Sequence, residues 1–216
     1  MIWLEVLVEG VSDAPTIKEI FQRKFGLVEG EHFRIHPHSG KGSLPADPQF
    51  KSNPKRLGLL DQLPSKLRVY AKNLPAYAVV LVVVDVDNTP CVDLLGDLNG
   101  MLASLPDKPK VLFRLAIEEI ESWFISDANA LRSAYPGRLK KAALRGIEPD
   151  EIVGAWEVLA KALGFDQAAA GPGVKLDWAE RISPHLNLDN PRSPSLRKFI
   201  EGVNRVVNRV VDQSRT

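Results

Sequence analysis

Carboxylates are the residues of this chain best placed to do chemistry. Glu9 stands beside Gly10 at the end of the first apolar run, Asp85 and Asp87 close the run Ala78–Val84, and Glu118, Glu119 and Glu121 follow the run Lys110–Ala116. Asp85 and Asp87 are two residues apart at a strand end, so both point to one side while Val86 points to the other. Held together, two carboxylates repel unless a cation or a proton lies between them. A hard divalent ion such as Mg²⁺, which prefers carboxylate and water oxygens, is the economical partner. The plainer alternative is an Asp-x-Asp that ends the strand and caps the turn before Pro90.

Helical spacing over Glu118–Ile125 puts Ile117, Ile120, Phe124 and Ile125 on one apolar arc, with Glu121 inside it. A carboxylate on such a stripe is costly unless it is paired or ligates metal, and an ion pair with an arginine is the structural alternative. Glu118 lies at the edge of the arc, one turn back, and shares the side of Glu121, while Glu119 points away toward solvent. Gly10 lets the chain turn tightly after Glu9; the alternative for Glu9 is a favourable charge near a helix N-terminus.

The elements that carry these acids alternate. Met1–Val8 reads as a strand, Ser12 or Asp13 caps a helix with Pro15 in its first turn, and His32–Pro37 reads as a second strand. A polar loop, Ser39–Asn53, precedes a helical segment interrupted by Pro64. The unbroken Val, Leu and Ala of Ala78–Val84 suit a strand buried on both faces. A helix over Val92–Leu105, the strand Lys110–Ala116 and the helix Glu118–Ile125 follow. This pattern predicts an α/β fold, a Rossmann-like parallel sheet flanked by helices. From Asp127 the strands stop, leaving helical pieces at Ala128–Ala134, Arg138–Leu144, Asp150–Leu163, Lys175–Leu186 and Ser195–Val211. The expected division is an α/β core over 1–127 and a C-terminal helical extension over 128–216, with Ala168–Gly173 as a linker. In open sheets of this kind ligands bind beyond the carboxyl ends of the strands, where all three acidic groups fall.

The 216 residues hold 28 basic and 27 acidic side chains, a formal charge of +1, which excludes a uniform polycation and an acidic tail protein. The charges are not evenly spread. Lys51–Lys72 holds six basic residues and one acid, and Arg132–Arg145 holds five and none; the alternative for both runs is a solvated helix face. The single cysteine, Cys91, supplies neither a disulfide nor a thiolate cage. The opening Met1–Leu4 reaches Glu5 without the regions of a signal peptide, and no apolar run is long enough to span a bilayer, so a cytoplasmic protein with no membrane partner is expected. Lys41 between Gly40 and Gly42, and Lys175 after Gly171-Pro172-Gly173, are candidate phosphate-binding cations, each with a solvated loop lysine as its alternative.

Val8-Glu9-Gly10 with Ser12-Asp13, followed by Val82-Val83-Val84-Asp85-Val86-Asp87, resembles the Toprim domain shared by topoisomerases, bacterial primases and the overcoming-lysogenization-defect nucleases. Glu118-Glu119-Ile120-Glu121-Ser122-Trp123-Phe124 with Asp127, the Gly40-Lys41-Gly42 loop and Ser193-Pro194-Ser195 look like a group of uncharacterised bacterial Toprim-like proteins suspected of roles in phage defence. The resemblance implies a Toprim-like sheet and a Mg²⁺ (or Mn²⁺) site for making or breaking phosphodiester bonds in nucleic acid. It implies that Asp85 and Asp87 hold one ion, that Glu9 is a ligand or general acid/base, and that Glu118 and Glu121 complete a second site, with Lys41 and Lys175 toward phosphate. Related nucleases carry an ATPase, and this sequence has no Gly-x-x-x-x-Gly-Lys-Ser/Thr loop, so an ATPase is expected to be separately encoded. The competing functions are a non-catalytic Toprim-like partner module of such an ATPase and another Asp-x-Asp metal-dependent nucleotide enzyme.

Overall fold

Four parallel strands carry the site. A computed structural model describes residues 2–49, 52–86, 89–166 and 171–213. Strands β1 (Trp3–Val8), β2 (Phe33–Pro37), β3 (Ala78–Asp85) and β4 (Lys110–Ala116) form one sheet in the order β2-β1-β3-β4. The registers pair Val8 with Pro37, Leu7 with Val82 and Asp85 with Ala116, so the carboxyl ends lie along one rim. The chain leaves β1 for β2 on one side and later fills β3 and β4 on the other. Between β1 and β3 the strand order therefore reverses, and the rim there is the place where open α/β sheets take ligands.

Alternation along the strands divides the core in two. Leu4, Val6, Val8, Val79, Leu81, Val83 and Ala116 face one side, where they meet α1 (Asp13–Phe25) and helices from the last third of the chain. Leu7, Val80, Val82, Val84 and Phe113 face the other, beneath α2 (Leu59–Asn73) and α3 (Cys91–Ser104). The valine run is thus apolar because both of its faces are covered. Pro64 sits inside α2 without ending it, packed on the core with Leu60, Leu63 and Leu67; burial of that face outweighs the missing N–H.

After β4 come α4 (Glu121–Ile125), α5 (Ala128–Ala134), a 3₁₀ turn at Lys141–Leu144, α6 (Ala155–Leu163), α7 (Pro172–Ile182), a second 3₁₀ turn at Ser183–His185, and α8 (Pro194–Gln213). The expected Asp150–Leu163 helix starts only at Ala155, because Asp150 has φ 69° and its carboxylate is spent elsewhere. It accepts hydrogen bonds from Ser193 Oγ at 2.9 Å and Ser195 N at 2.6 Å, which fastens the start of α8. Residues 168–170 of the expected linker lie outside the described residues, and Pro172 and Gly173 open α7. Among the described residues no helix is long and apolar enough to cross a membrane.

Trp123 ties these helices to the core. Its fully buried ring lies 5.4 Å from that of Phe199 on α8, and its Nε1–H donates to Ser195 Oγ at 2.8 Å, which in turn reaches Asp150 Oδ1 at 3.1 Å. Ser195→Ala leaves the indole N–H unsatisfied in the core, so a loss of about 1–3 kcal/mol is expected. Thermal unfolding checks it: the midpoint falls by roughly 3–10 °C, and an unchanged midpoint contradicts this anchoring role.

Candidate functional site

Each acidic residue of the site is delivered by an element whose ending the sequence dictates. Glu9 follows β1 and receives the backbone N–H of Asp85 on its Oε1 at 2.8 Å, so the two central strands are joined at their ends through a carboxylate. Gly10 turns the chain into α1, and its N–H donates to Asp13 Oδ2 at 2.8 Å, with Ser12 Oγ at 3.4 Å from Asp13 Oδ1. Asp13 is therefore folded back over the β1–α1 turn. Asp85 ends β3 beside Ala116 at the end of β4.

The chain leaving β4 does not enter a helix at Glu118. Glu118 has φ 61°, a left-handed backbone, and the helix begins at Glu121. The expectation that Glu118 and Glu121 share one helical side is corrected by this turn. Glu118 Oε2 accepts from Gly154 N at 3.0 Å and so supports the loop before α6. Glu119, expected in solvent, turns inward: its Oε1 accepts from Lys175 Nζ at 2.8 Å, and its buried Oε2 has no hydrogen-bond partner among the described residues. Glu121 is 6% exposed and lies 3.5 Å from the same Lys175 Nζ. Its ion-pair partner is a lysine from α7, where the sequence offered arginines.

The electrostatics show that these groups form one cluster. Burial, then the charges of Asp13, Glu9, Glu121 and Glu119, hold the Asp85 carboxyl well above the ordinary range. Burial pushes Asp13 up to about 6 against the Gly10 hydrogen bond and the Lys175 charge. Burial also raises Glu121 to about 7, opposed by Lys175 and reinforced by Glu119. Burial lowers the ammonium of Lys175, but Glu121 and Glu119 outweigh it and the net shift is upward. The cluster thus binds protons that isolated carboxylates would release.

Lys41 reaches the same rim. Its Nζ donates to the carbonyl of Val86 at 3.2 Å. The loop around it is pinned, where a flexible loop was expected. Gly40 N donates to Glu9 O at 2.8 Å, Leu59 N to Gly40 O at 2.8 Å and Leu60 N to Lys41 O at 2.7 Å. Gly42 has φ 66°, and a Cβ there would meet Asp61 Oδ2 at 2.1 Å and the Gly58 backbone at 3.0 Å. Asp87 lies outside the described residues. Lys175, expected as a phosphate-binding cation at the start of the Lys175–Leu186 helix, is within α7, which begins at Pro172, and is ion-paired with Glu119.

Glu9 and Asp85 are therefore joined, Asp13, Glu119 and Glu121 act on Asp85 through their charges, Lys41 reaches the same rim, and Glu118 is turned to the loop before α6. Asp13 reads as a helix cap in sequence, and only the fold-back at Gly10 turns its carboxylate toward Asp85. The side chains around Asp85 are carboxylates, the ligand type a hard cation prefers, and one buried oxygen of Glu119 has no hydrogen-bond partner among the described residues. Among the described residues no three acids, histidines or cysteines are already gathered as a ligand set.

Two outcomes check this geometry. Gly42→Ala displaces the Lys41 loop from α2, and a loss of about 1–3 kcal/mol in denaturant unfolding is expected; unchanged stability contradicts the close packing. The second concerns pH. Glu121 has a folded value of about 7 against an ordinary 4.5, so its contribution to stability is full below 4.5 and is lost as pH rises through about 7. Asp13 has the same sign, between 3.8 and about 6. His38, lowered by burial, has the opposite sign below its ordinary 6.5, so the informative quantity is the difference between proteins. Without divalent ions, the wild type loses roughly 2 kcal/mol more than Glu121→Gln between about pH 5 and about pH 8, measured by thermal or urea unfolding. Parallel pH profiles contradict it.

No curated protein matches the chain. No solved structure matches it. A family model matches residues 8–204, nearly the whole of the sequence and all of the acidic rim, and the chain belongs to that family, described as a domain of unknown function (DUF4276).

Proposed function

We propose that this protein is a divalent-metal-dependent phosphodiesterase of Toprim type that acts on nucleic acid. The observation that supports the reading is the gathering of Glu9, Asp13, Glu119 and Glu121 around Asp85 at the strand-order reversal of a parallel sheet, where burial first and then the charges of these acids favour the protonated form of Asp85. Glu9 and Asp85 are the residues that would hold Mg²⁺ or Mn²⁺, with Asp87 two residues further along the sequence. When bound, such an ion supplies Lewis-acid stabilisation of the charge that develops on phosphate oxygens.

The remaining roles belong to the chain. The Asp85 N–H fixes the orientation of the Glu9 carboxylate. Glu121, with its proton held up to about 7, is suited to give or take a proton near neutrality. Lys41, tethered on the carbonyl of Val86, the residue after Asp85, would meet a phosphate oxygen. Arg132, Arg138, Lys140, Lys141 and Arg145 are all exposed, which supports a surface facing a phosphate backbone beyond the acidic rim. A cytoplasmic role in phage defence, beside a separately encoded ATPase, completes the proposal and rests on the Toprim resemblance alone.

The test is cleavage of single-stranded, duplex and supercoiled DNA and of RNA by the purified protein with Mg²⁺ or Mn²⁺. Wild type is expected to cleave at least one of them, and Glu9→Gln and Asp85→Asn to lose activity by about 10²-fold or more with their folds intact. Cleavage that survives in both variants sinks the site assignment. Absence of cleavage together with absence of metal binding by calorimetry favours the partner-module function.

A further inference from the structure

Away from the acidic rim, the helical last third of the chain encloses two cavities that share a wall. Ala128 and Arg132 are four residues apart on α5 and so lie on one face of it. That face, the 3₁₀ turn Lys141–Leu144 and the loop before α6 enclose a cavity of about 260 Å³. Its apolar walls are Ile125, Leu139, Leu144, Ile147 and Pro149. Arg132, Lys141 and Arg192 also line it, and no acidic residue does. Among the described residues none of these three cations is in an ion pair, and Arg132 donates to the neutral Oδ1 of Asn129. A second cavity, of about 280 Å³, shares Ala128 and Arg192 with the first, and its polar lining includes Asn129, His185, Asn187 and Asn190. Its one acid, Asp127, is spent on the backbone: Oδ1 accepts from Ala130 N at 2.9 Å and Oδ2 from Asn187 N at 2.8 Å.

We propose that the two cavities together form a binding site for an organic phosphate of the nucleoside monophosphate class. Three positive charges with no acid among them suit a dianionic phosphate, and guanidinium groups meet phosphate oxygens with paired N–H donors. The aliphatic walls require the same ligand to present an apolar face, which inorganic phosphate lacks. Amide and imidazole groups on the other side of Arg192 require hydrogen-bonding atoms in its body, which an acyl chain lacks. A nucleoside monophosphate meets all three demands. Each cavity alone is smaller than the roughly 300 Å³ at which small-molecule sites begin, and the two joined exceed it. The inference stands apart from the metal-dependent reading, since no residue of the acidic rim lines either cavity.

Titration calorimetry on the full chain tests it, with EDTA present so that no metal ion at the rim can hold a nucleotide. The probes are AMP, GMP, CMP and UMP, the four nucleosides, inorganic phosphate and octanoate. At least one monophosphate is expected to bind one per chain, with its nucleoside, inorganic phosphate and octanoate each weaker by about tenfold or more. The double variant Arg132→Gln/Lys141→Gln is expected to lose about tenfold or more of that affinity, with thermal unfolding run in parallel to verify its fold, and Asp85→Asn is expected to bind as the wild type does. Binding of no monophosphate overturns the proposal and leaves the metal-dependent reading in place. Inorganic phosphate or octanoate binding as tightly as the best nucleotide overturns it too, the first marking a bare anion site and the second an acyl site. Full affinity in the folded double variant, or loss of affinity in Asp85→Asn, overturns it by placing the ligand elsewhere. If the double variant fails to fold, Arg192→Gln carries the same decision.

Discussion

The repulsion among carboxylates at the strand ends is the constraint around which this molecule is arranged. Glu9, Asp13, Asp85, Glu119 and Glu121 are held close enough that each raises or steadies the protons of its neighbours. Left to themselves, these groups would separate into water. They remain together because the sheet gives Glu9 and Asp85 no freedom, the β1–α1 turn clamps Asp13, and Lys175 draws in Glu119 and Glu121. A buried cluster of this kind costs stability unless charge is balanced, and Lys175 supplies part of that balance.

The covering helices make that crowding sustainable. Both faces of β3 are buried, so the central strand cannot slip in register without exposing a full row of valines. Fixed register keeps Asp85 opposite Ala116 and its N–H within reach of Glu9. The last third of the chain acts at a distance: Asp150 and Ser195 hold the start of α8, Phe199 of α8 packs against Trp123 of α4, and α7 presents Lys175. The helices that follow the sheet thus contribute a charge to the rim as well as area to the core.

The two lysines considered for phosphate have parted in character. Lys41 sits in a loop whose shape is set by Gly40 and Gly42 and whose backbone is bonded to both β1 and α2, so its ammonium stays at the rim beside Val86. Lys175 is committed to carboxylates. Between two carboxylates, Lys175 has much of its attraction for a further anion cancelled.

Much of this was written in local sequence. The valine run, the alternation of apolar strands with amphipathic helices, and the Glu9-Gly10 and Asp85 strand ends follow from residue types and periods, because burial on two faces and tight turning are demands that single segments express. The four-stranded parallel sheet and the carboxylate pair of Glu9 and Asp85 were legible for that reason. Tertiary structure decided the rest of the rim. Glu118 left it and Glu119 entered because one left-handed residue replaced the first turn of an expected helix. Asp13 changed from a candidate helix cap to a charge acting on Asp85, and Lys175 from a candidate phosphate-binding cation to the partner of Glu119 and Glu121. Those outcomes depend on contacts between segments far apart in the chain, where a single backbone angle redirects a side chain by more than any local period records.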